Sequence, residues 1–166
     1  MYFRSIIFIL IFIMACSDNN KSVSNSDTKS STEVPLRSEI DAKYKWDMTA
    51  VYPTEEAWEE DLNFVKELYP GILEFKGKLV SSPDVLLEAL ELDNKINQTL
   101  WKLYHYASNS SNADVRNEKY QEMVQRVINT YVKIGEVSAF FTPEILENDY
   151  SVIENLMEKN DKLKIY

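Results

Sequence analysis

The chain has 166 residues, of which 45% are apolar, 12% aromatic and 27% charged, and its formal net charge is −9. That length allows one domain or a piece of a larger one, and the acidic balance argues against nucleic acid, whose binders carry a basic stripe. One cysteine, Cys16, excludes an internal disulfide framework, and only three glycines and five prolines lean the composition away from turn-rich sheets and toward an all-α fold.

Residues 1–16 read as a targeting leader rather than as part of the fold. Arg4 supplies a short positive region, and Ile6 to Met14 is an unbroken apolar run of nine residues. A bilayer-spanning helix needs roughly 20, so the run fits the core of a signal peptide. Ile13-Met14-Ala15-Cys16 resembles the bacterial lipobox, in which a small residue precedes a cysteine that is lipidated and becomes the mature N-terminus. The resemblance implies a lipid anchor at Cys16 and a place in a bacterial cell envelope. The expected place is the outer membrane or an extracytoplasmic face, and Ser17 after that cysteine, rather than Asp, would suit outer-membrane sorting in a two-membrane cell. An ordinary signal peptide with a chance cysteine is the plainer alternative.

Residues 17–39 are rich in Ser, Asn, Asp, Lys and Thr, with Val23, Val34 and Leu36 as the sizeable apolar side chains. So little apolar surface cannot offset the entropy of ordering, and the stretch is expected to be a flexible tether. The folded part is then 40–166, and it is organised around Lys43 to Leu62, which holds Trp46 and Trp58. Pro53 ends what precedes it. Thr54 is positioned as an N-cap, with Glu55 and Glu56 at the positive end of the helix dipole. Trp58, Leu62, Val65, Leu68, Tyr69 and Ile72 then mark one buried face at helical spacing.

This first helix is expected from about Glu55 to Phe75, bent at Pro70-Gly71 and ended by Gly77. Ser82-Pro83-Asp84 is a second start signal. It opens a helix to about Ser108 along Leu86, Leu90, Asp93, Ile96 or Asn97, Leu100, Tyr104 and Ala107, widened by Leu87, Trp101 and Leu103. Ser108 to Asn112 reads as a turn, with Asp114 capping a third helix from about Val115 to Phe141. Its stripe is Tyr120, Met123, Val124, Val127, Ile128, Tyr131, Ile134 and Val137. Thr142-Pro143-Glu144 is a further cap and start, followed by one or two short helices. Three long helices on short loops point to an antiparallel helical bundle or hairpin. Their apolar faces exceed what such a bundle buries, so some surface is expected to meet further chain or a partner.

No catalytic and no metal-ligating residue emerges. A His-Glu-x-x-His zinc helix needs two imidazoles one turn apart, and His105 is the single histidine. A cysteine–histidine nucleophile pair fails because Cys16 lies in the leader. His105, between Tyr104 and Tyr106, reads as a surface or half-buried histidine of an aromatic helix, with a ligand or substrate contact as the sharper alternative. Glu55, Glu56, Glu59, Glu60 and Asp61 read as a solvated helix face, as do Glu154, Glu158 and Asp161. Tyr44, Tyr52, Tyr69, Tyr104, Tyr106, Tyr120 and Tyr131 offer contact area suited to peptides or proteins, although core packing with boundary hydroxyls accounts for them as well.

A series of short stretches resembles the N-terminal region of the oligoendopeptidase F family, thimet-oligopeptidase-like zinc metallopeptidases. They are Tyr44-Lys45-Trp46-Asp47-Met48, Val51-Tyr52-Pro53, Glu56-Ala57-Trp58, Phe75-Lys76-Gly77-Lys78-Leu79, Leu100 to Ala107, Tyr120-Gln121 with Arg126, and Phe140 to Leu146. The order and spacing hold from about residue 37 onward. The resemblance implies an all-α domain forming one wall of a channel in which short peptides are cleaved. The zinc and the glutamate base of that family come later than this chain reaches, so no catalytic or metal residue carries over. The expected partners are a catalytic domain of the same or a split protein, short peptides, and a membrane through the lipid anchor. The expectation is thus a non-catalytic part of a membrane-anchored oligoendopeptidase, inactive alone and with zinc held elsewhere. The alternative is a surface lipoprotein serving as a helical peptide- or protein-binding module.

Overall fold

The computed structural model describes residues 35–166. The leader, Cys16 and residues 17–34 of the expected tether lie outside the described residues. The described part is all-α, and no strand occurs among the described residues.

Pro35 to Val51 advances by three single 3₁₀ turns, Arg37–Glu39, Ala42–Tyr44 and Met48–Ala50. Asp41 and Asp47 pin two of them by accepting from the backbone N–H two residues on, the local bond that favours Asp in turns. Helix α1 (Glu55–Leu68) begins where Thr54 Oγ1 accepts from the Ala57 N–H at 3.3 Å. Its Trp58, Leu62 and Val65 are fully buried.

The expected bend at Pro70 is instead a change of helix type. The α-helix stops at Leu68 and Tyr69–Phe75 continues as a 3₁₀ helix. Pro70 lacks the N–H for an α-type bond, and its ring would collide with the carbonyl four residues back. The tighter winding keeps Ile72 in the core. Gly77 does close the segment, at φ +78°, a left-handed conformation that strains any side-chain-bearing residue.

Helix α2 (Pro83–Ala113) starts as expected, with Ser82 Oγ accepting from the Val85 N–H at 3.2 Å. It does not end at Ser108. The Ser/Asn run read as a turn continues the helix for another turn and a half. Ser and Asn are weak helix formers because they compete for backbone bonds, but here tertiary contacts prevail. Ala107 and Ser110 are buried, and Arg37 Nη1 donates to the Ala113 carbonyl, placing a cation at the negative helix end. That contact also ties residue 37, inside the expected tether, to the folded body.

Asp114 is therefore the residue that follows α2, not the cap of the next helix. It accepts from the Arg116 N–H, and Asn117 caps α3 (Glu118–Ser138) by accepting from Lys119. Helix α4 (Phe141–Leu146) starts one residue before the expected Thr142 cap, with no side-chain cap. Phe140 and Phe141 pack against both cores and set the start there, leaving Thr142 exposed. Helix α5 (Tyr150–Lys159) and a 3₁₀ segment, Asp161–Ile165, complete the chain.

Contacts between the long helices give their directions. Along α1, Trp58 meets Leu103, Asp61 meets Lys102 and Phe64 meets Lys95, so α1 and α2 are antiparallel. Tyr106 packs on Tyr120 while Leu100 and Tyr104 face Val127 and Tyr131, so α2 and α3 are antiparallel too. Glu55 and Glu59 reach Lys119 and Arg126, so α1 and α3 run parallel. The bundle core is centred on Trp58, Leu62, Ile96, Leu103 and Val127. A second core joins the start of α2 to the C-terminal segment through Leu79, Leu86, Leu87, Ala89, Leu156 and Leu163. Helix α2, about 46 Å long at 1.5 Å per residue, runs through both.

Candidate functional site

The α2–α3 pair is covered on one side and open on the other, and the reason is residue spacing. Leu103 and Trp101 are two residues apart, about 200° around the helix axis at 3.6 residues per turn. Leu103 is fully buried under α1, whereas Trp101 is 55% exposed. On α3, Met123, Val127 and Ile134 are buried, while Ile128 and Tyr131 are 39% and 57% exposed. Trp101, Ile128 and Tyr131 were all expected on buried stripes. They mark instead the surplus apolar surface anticipated from stripe width. With Leu100, Tyr104 and Val127 they line a half-open apolar groove of about 160 Å³ between the two helices.

Around the groove the aromatic groups brace one another. His105 is exposed and stacks on Trp101, with centroids 5.6 Å apart, and meets Tyr104 edge-on at 5.9 Å. The surface reading of His105 thus holds, and its place next to the groove adds contact area there. Of the tyrosines, Tyr52 and Tyr106 are core residues, Tyr69, Tyr104 and Tyr120 are half-buried, and Tyr44 and Tyr131 are exposed. Trp46, expected to share the organising role with Trp58, is 77% exposed and borders a second cleft with Arg37, Tyr44 and Met48. Trp58 alone anchors the bundle.

The covered side is held by charge as well as by packing. Arg126 forms a two-pronged pair with Glu59 at 2.5 Å for each bond, and its guanidinium lies 5.2 Å from the Trp58 ring. Such paired contacts suit the planar guanidinium. Lys119 pairs with Glu55. Asp61 accepts from the Tyr52 hydroxyl at 2.6 Å and from Lys102 at 3.4 Å. The acidic face of α1 is therefore not simply solvated: Glu55, Glu59 and Asp61 cross-link helices, and only Glu56 and Glu60 fit the earlier reading. The partners lie 41 to 67 residues away, which no local pattern reveals.

These contacts shift protonation. The Arg126 hydrogen bonds hold the Glu59 carboxyl below the usual glutamate range. Burial, then the Asp61 bond, pushes the Tyr52 hydroxyl far above the ordinary tyrosine range. A carboxylate held low in the folded state stabilises it above its unfolded value and loses that contribution as pH falls through the folded value. Acid should therefore loosen the α1–α3 contact below about pH 4. The variant Arg126→Met should show a flatter stability–pH profile from pH 5 to 3 than the parent chain, measured by urea unfolding at each pH. Equal slopes would exclude this pair as a source of acid sensitivity.

Among the described residues no three His, Cys, Asp or Glu side chains are grouped to hold a metal ion, and no helix is long and apolar enough to cross a membrane.

No family model matches the chain. Oligopeptidase PepF of Bacillus subtilis (strain 168) is 32% identical over 150 residues, which is 90% of this chain and 22% of PepF. The plasmid oligoendopeptidase F of Lactococcus lactis subsp. cremoris is 38% identical over 131 residues, 78% of this chain and 22% of that protein. The crystal structure of oligoendopeptidase-F from Enterococcus faecium matches with a TM-score of 0.63 and 24% identity, over 68% of this chain and 22% of that one. At that identity the structural likeness speaks for the fold. The chain spans about a fifth of the length of the curated relatives it matches.

Proposed function

From the chain's kinship with one segment of the oligoendopeptidase F peptidases, we propose that it serves as a non-catalytic wall of such a peptidase, bounding the space in which short peptides are cut. The single observation that carries this is identity above 30% across most of the chain to proteins of which it matches about a fifth. Among the described residues no grouped His, Cys, Asp or Glu side chains fit a zinc ion, and the single histidine is exposed and stacked on Trp101. No step of peptide hydrolysis is assigned to them. Their contribution is shape: a rigid three-helix body presenting Trp101, Tyr104 and Tyr131 outward. Zinc chemistry would come from sequence beyond these 166 residues, in the same or a companion polypeptide.

A chimera tests this. The matched segment of the Lactococcus lactis enzyme is replaced by that of the present chain, and hydrolysis of an internally quenched peptide is followed. The expected result is chelator-sensitive cleavage by the chimera and none by the 166-residue chain alone. Chelator-sensitive cleavage by the isolated chain would overturn the reading, as would a folded chimera without activity.

We also propose that Cys16 carries a lipid that holds the protein at an envelope membrane, on the strength of Ile13-Met14-Ala15-Cys16 following the apolar run. Two or more acyl chains give stable attachment where one is marginal. Cys16→Ala should move the protein from the membrane pellet to the soluble fraction. Unchanged partition would rule the anchor out.

A further inference from the structure

We propose that the open side of the α2–α3 pair docks a further helix of the peptidase, one that inserts a single bulky apolar side chain and brings no charge to the groove. The inference rests on the reading above, that the chain works as one segment of an oligoendopeptidase F-type protein.

The groove has the form of an unfilled hole between helices. Its lining is Leu100, Trp101 and Tyr104 on one side and Val127, Ile128 and Tyr131 on the other. Both triplets fall at i, i+1 and i+4. Matched sets of that spacing on two helices leave a recess between them, into which the side-chain ridge of a facing helix can pack. Size supports one side chain rather than a small molecule. The recess of about 160 Å³ falls below the about 300–1,000 Å³ of ligand sites.

Charge defines the partner. Helix neighbours lie three and four residues away, and at those positions around Trp101, Tyr104, Ile128 and Tyr131 there is no Asp, Glu, Lys or Arg, although 27% of the chain is charged. The flanking polar groups are Asn97, Gln98, His105, Ser108 and Gln125. Elsewhere the exposed surface is dense in charge. An aromatic, charge-depleted centre is what protein interfaces bury. A partner bringing a charge here would strip it of water with nothing to pair it, so the complementary surface is apolar and neutral. A second copy would have to bring an exposed side chain from another face, such as Trp46 or Tyr150, and the cross-link partner distinguishes that case. The matched segment is 22% of PepF, so such proteins have ample chain outside it to supply the helix.

The test places a photo-cross-linking amino acid at position 128 of the full chain, expressed in its own host, and sequences the cross-linked peptides. The same probe at the exposed Glu60 is the control. The expected result is a cross-link from 128, absent from 60, to a helical segment of an oligoendopeptidase F-type protein or chain. Adding Tyr131→Lys should lower its yield at least tenfold while the circular dichroism spectrum and melting curve stay unchanged. A cross-link to a second copy or to free short peptides, no cross-link, or a yield unaffected by Tyr131→Lys would each overturn the proposal. An active chimera with no cross-link from 128 would leave the wall reading standing and remove this one.

Discussion

Alanine in place of Trp58 is expected to remove about 3–5 kcal/mol of stability, the usual cost of truncating a large buried aromatic. Domains of this size have about 5–15 kcal/mol in total, so the variant should melt at much lower temperature or fail to fold. Three contacts converge on this side chain. It is fully buried in the bundle core, its Nε1–H donates to the Leu103 carbonyl at 3.0 Å, and Arg126 lies over its ring. It thus touches both other long helices. Trp58→Phe separates these effects. The Leu103 carbonyl is already positioned to accept within α2, so no orphan acceptor remains, and a milder loss of about 1–2 kcal/mol is expected from the lost bond and volume. Urea unfolding followed by circular dichroism measures both. A Trp58→Ala loss below 1 kcal/mol would show that the bundle is not held at this residue.

The second large effect lies at the other core. Glu144 on α4 accepts from the Gly77 N–H at 2.8 Å and from the Leu79 N–H at 2.7 Å. One carboxylate thereby clamps the loop between the 3₁₀ segment and α2, and carries Leu79 into its buried seat. Hydrogen bonds to a charged group contribute about 1.5–3 kcal/mol each. Part of the clamp is exposed, so Glu144→Ala should cost about 2–4 kcal/mol. Glu144→Gln keeps one acceptor and should fall between. The sharper readout is amide exchange. In Glu144→Ala the Gly77 and Leu79 amides should lose protection by at least tenfold, while amides of α1 and α3 change little, because local opening is limited to the unit that lost its contacts. Uniform loss across all helices would mean that the clamp supports the whole domain instead.

Much of this architecture was legible in local chemistry. Thr54 and Ser82 announced two helix starts because a hydroxyl before an acidic or proline-led turn satisfies free N–H groups. The stripe from Trp58 to Ile72 announced the bundle core through its spacing. What escaped was set by contacts between distant residues. Ser108 to Asn112 looked like a turn by propensity, and is helical because Arg37 and the buried Ser110 hold it. Pro70 announced an interruption, but not that the chain would tighten rather than bend. Each apolar stripe was wider than a three-helix bundle buries, yet a stripe does not say which edge its neighbour covers. Hence Trp101, Ile128 and Tyr131 were expected in the core and lie in the open groove. The glutamates of α1 looked alike in sequence, and only folding distinguished Glu59, facing Arg126, from Glu60, facing water.

The order in which the helices pack also bears on how quickly the chain can assemble. Helix α2 lies against both of its chain neighbours, which favours the faster folding of locally paired helices, while α1 meets α3 across the 67 residues between Glu59 and Arg126. The Glu144 clamp spans as far along the chain as the Glu59–Arg126 pair does. It joins residues 65 and 67 apart, so it can close only once α2 and α3 have turned back on one another, and the cost of closing it includes the ordering of the helices between.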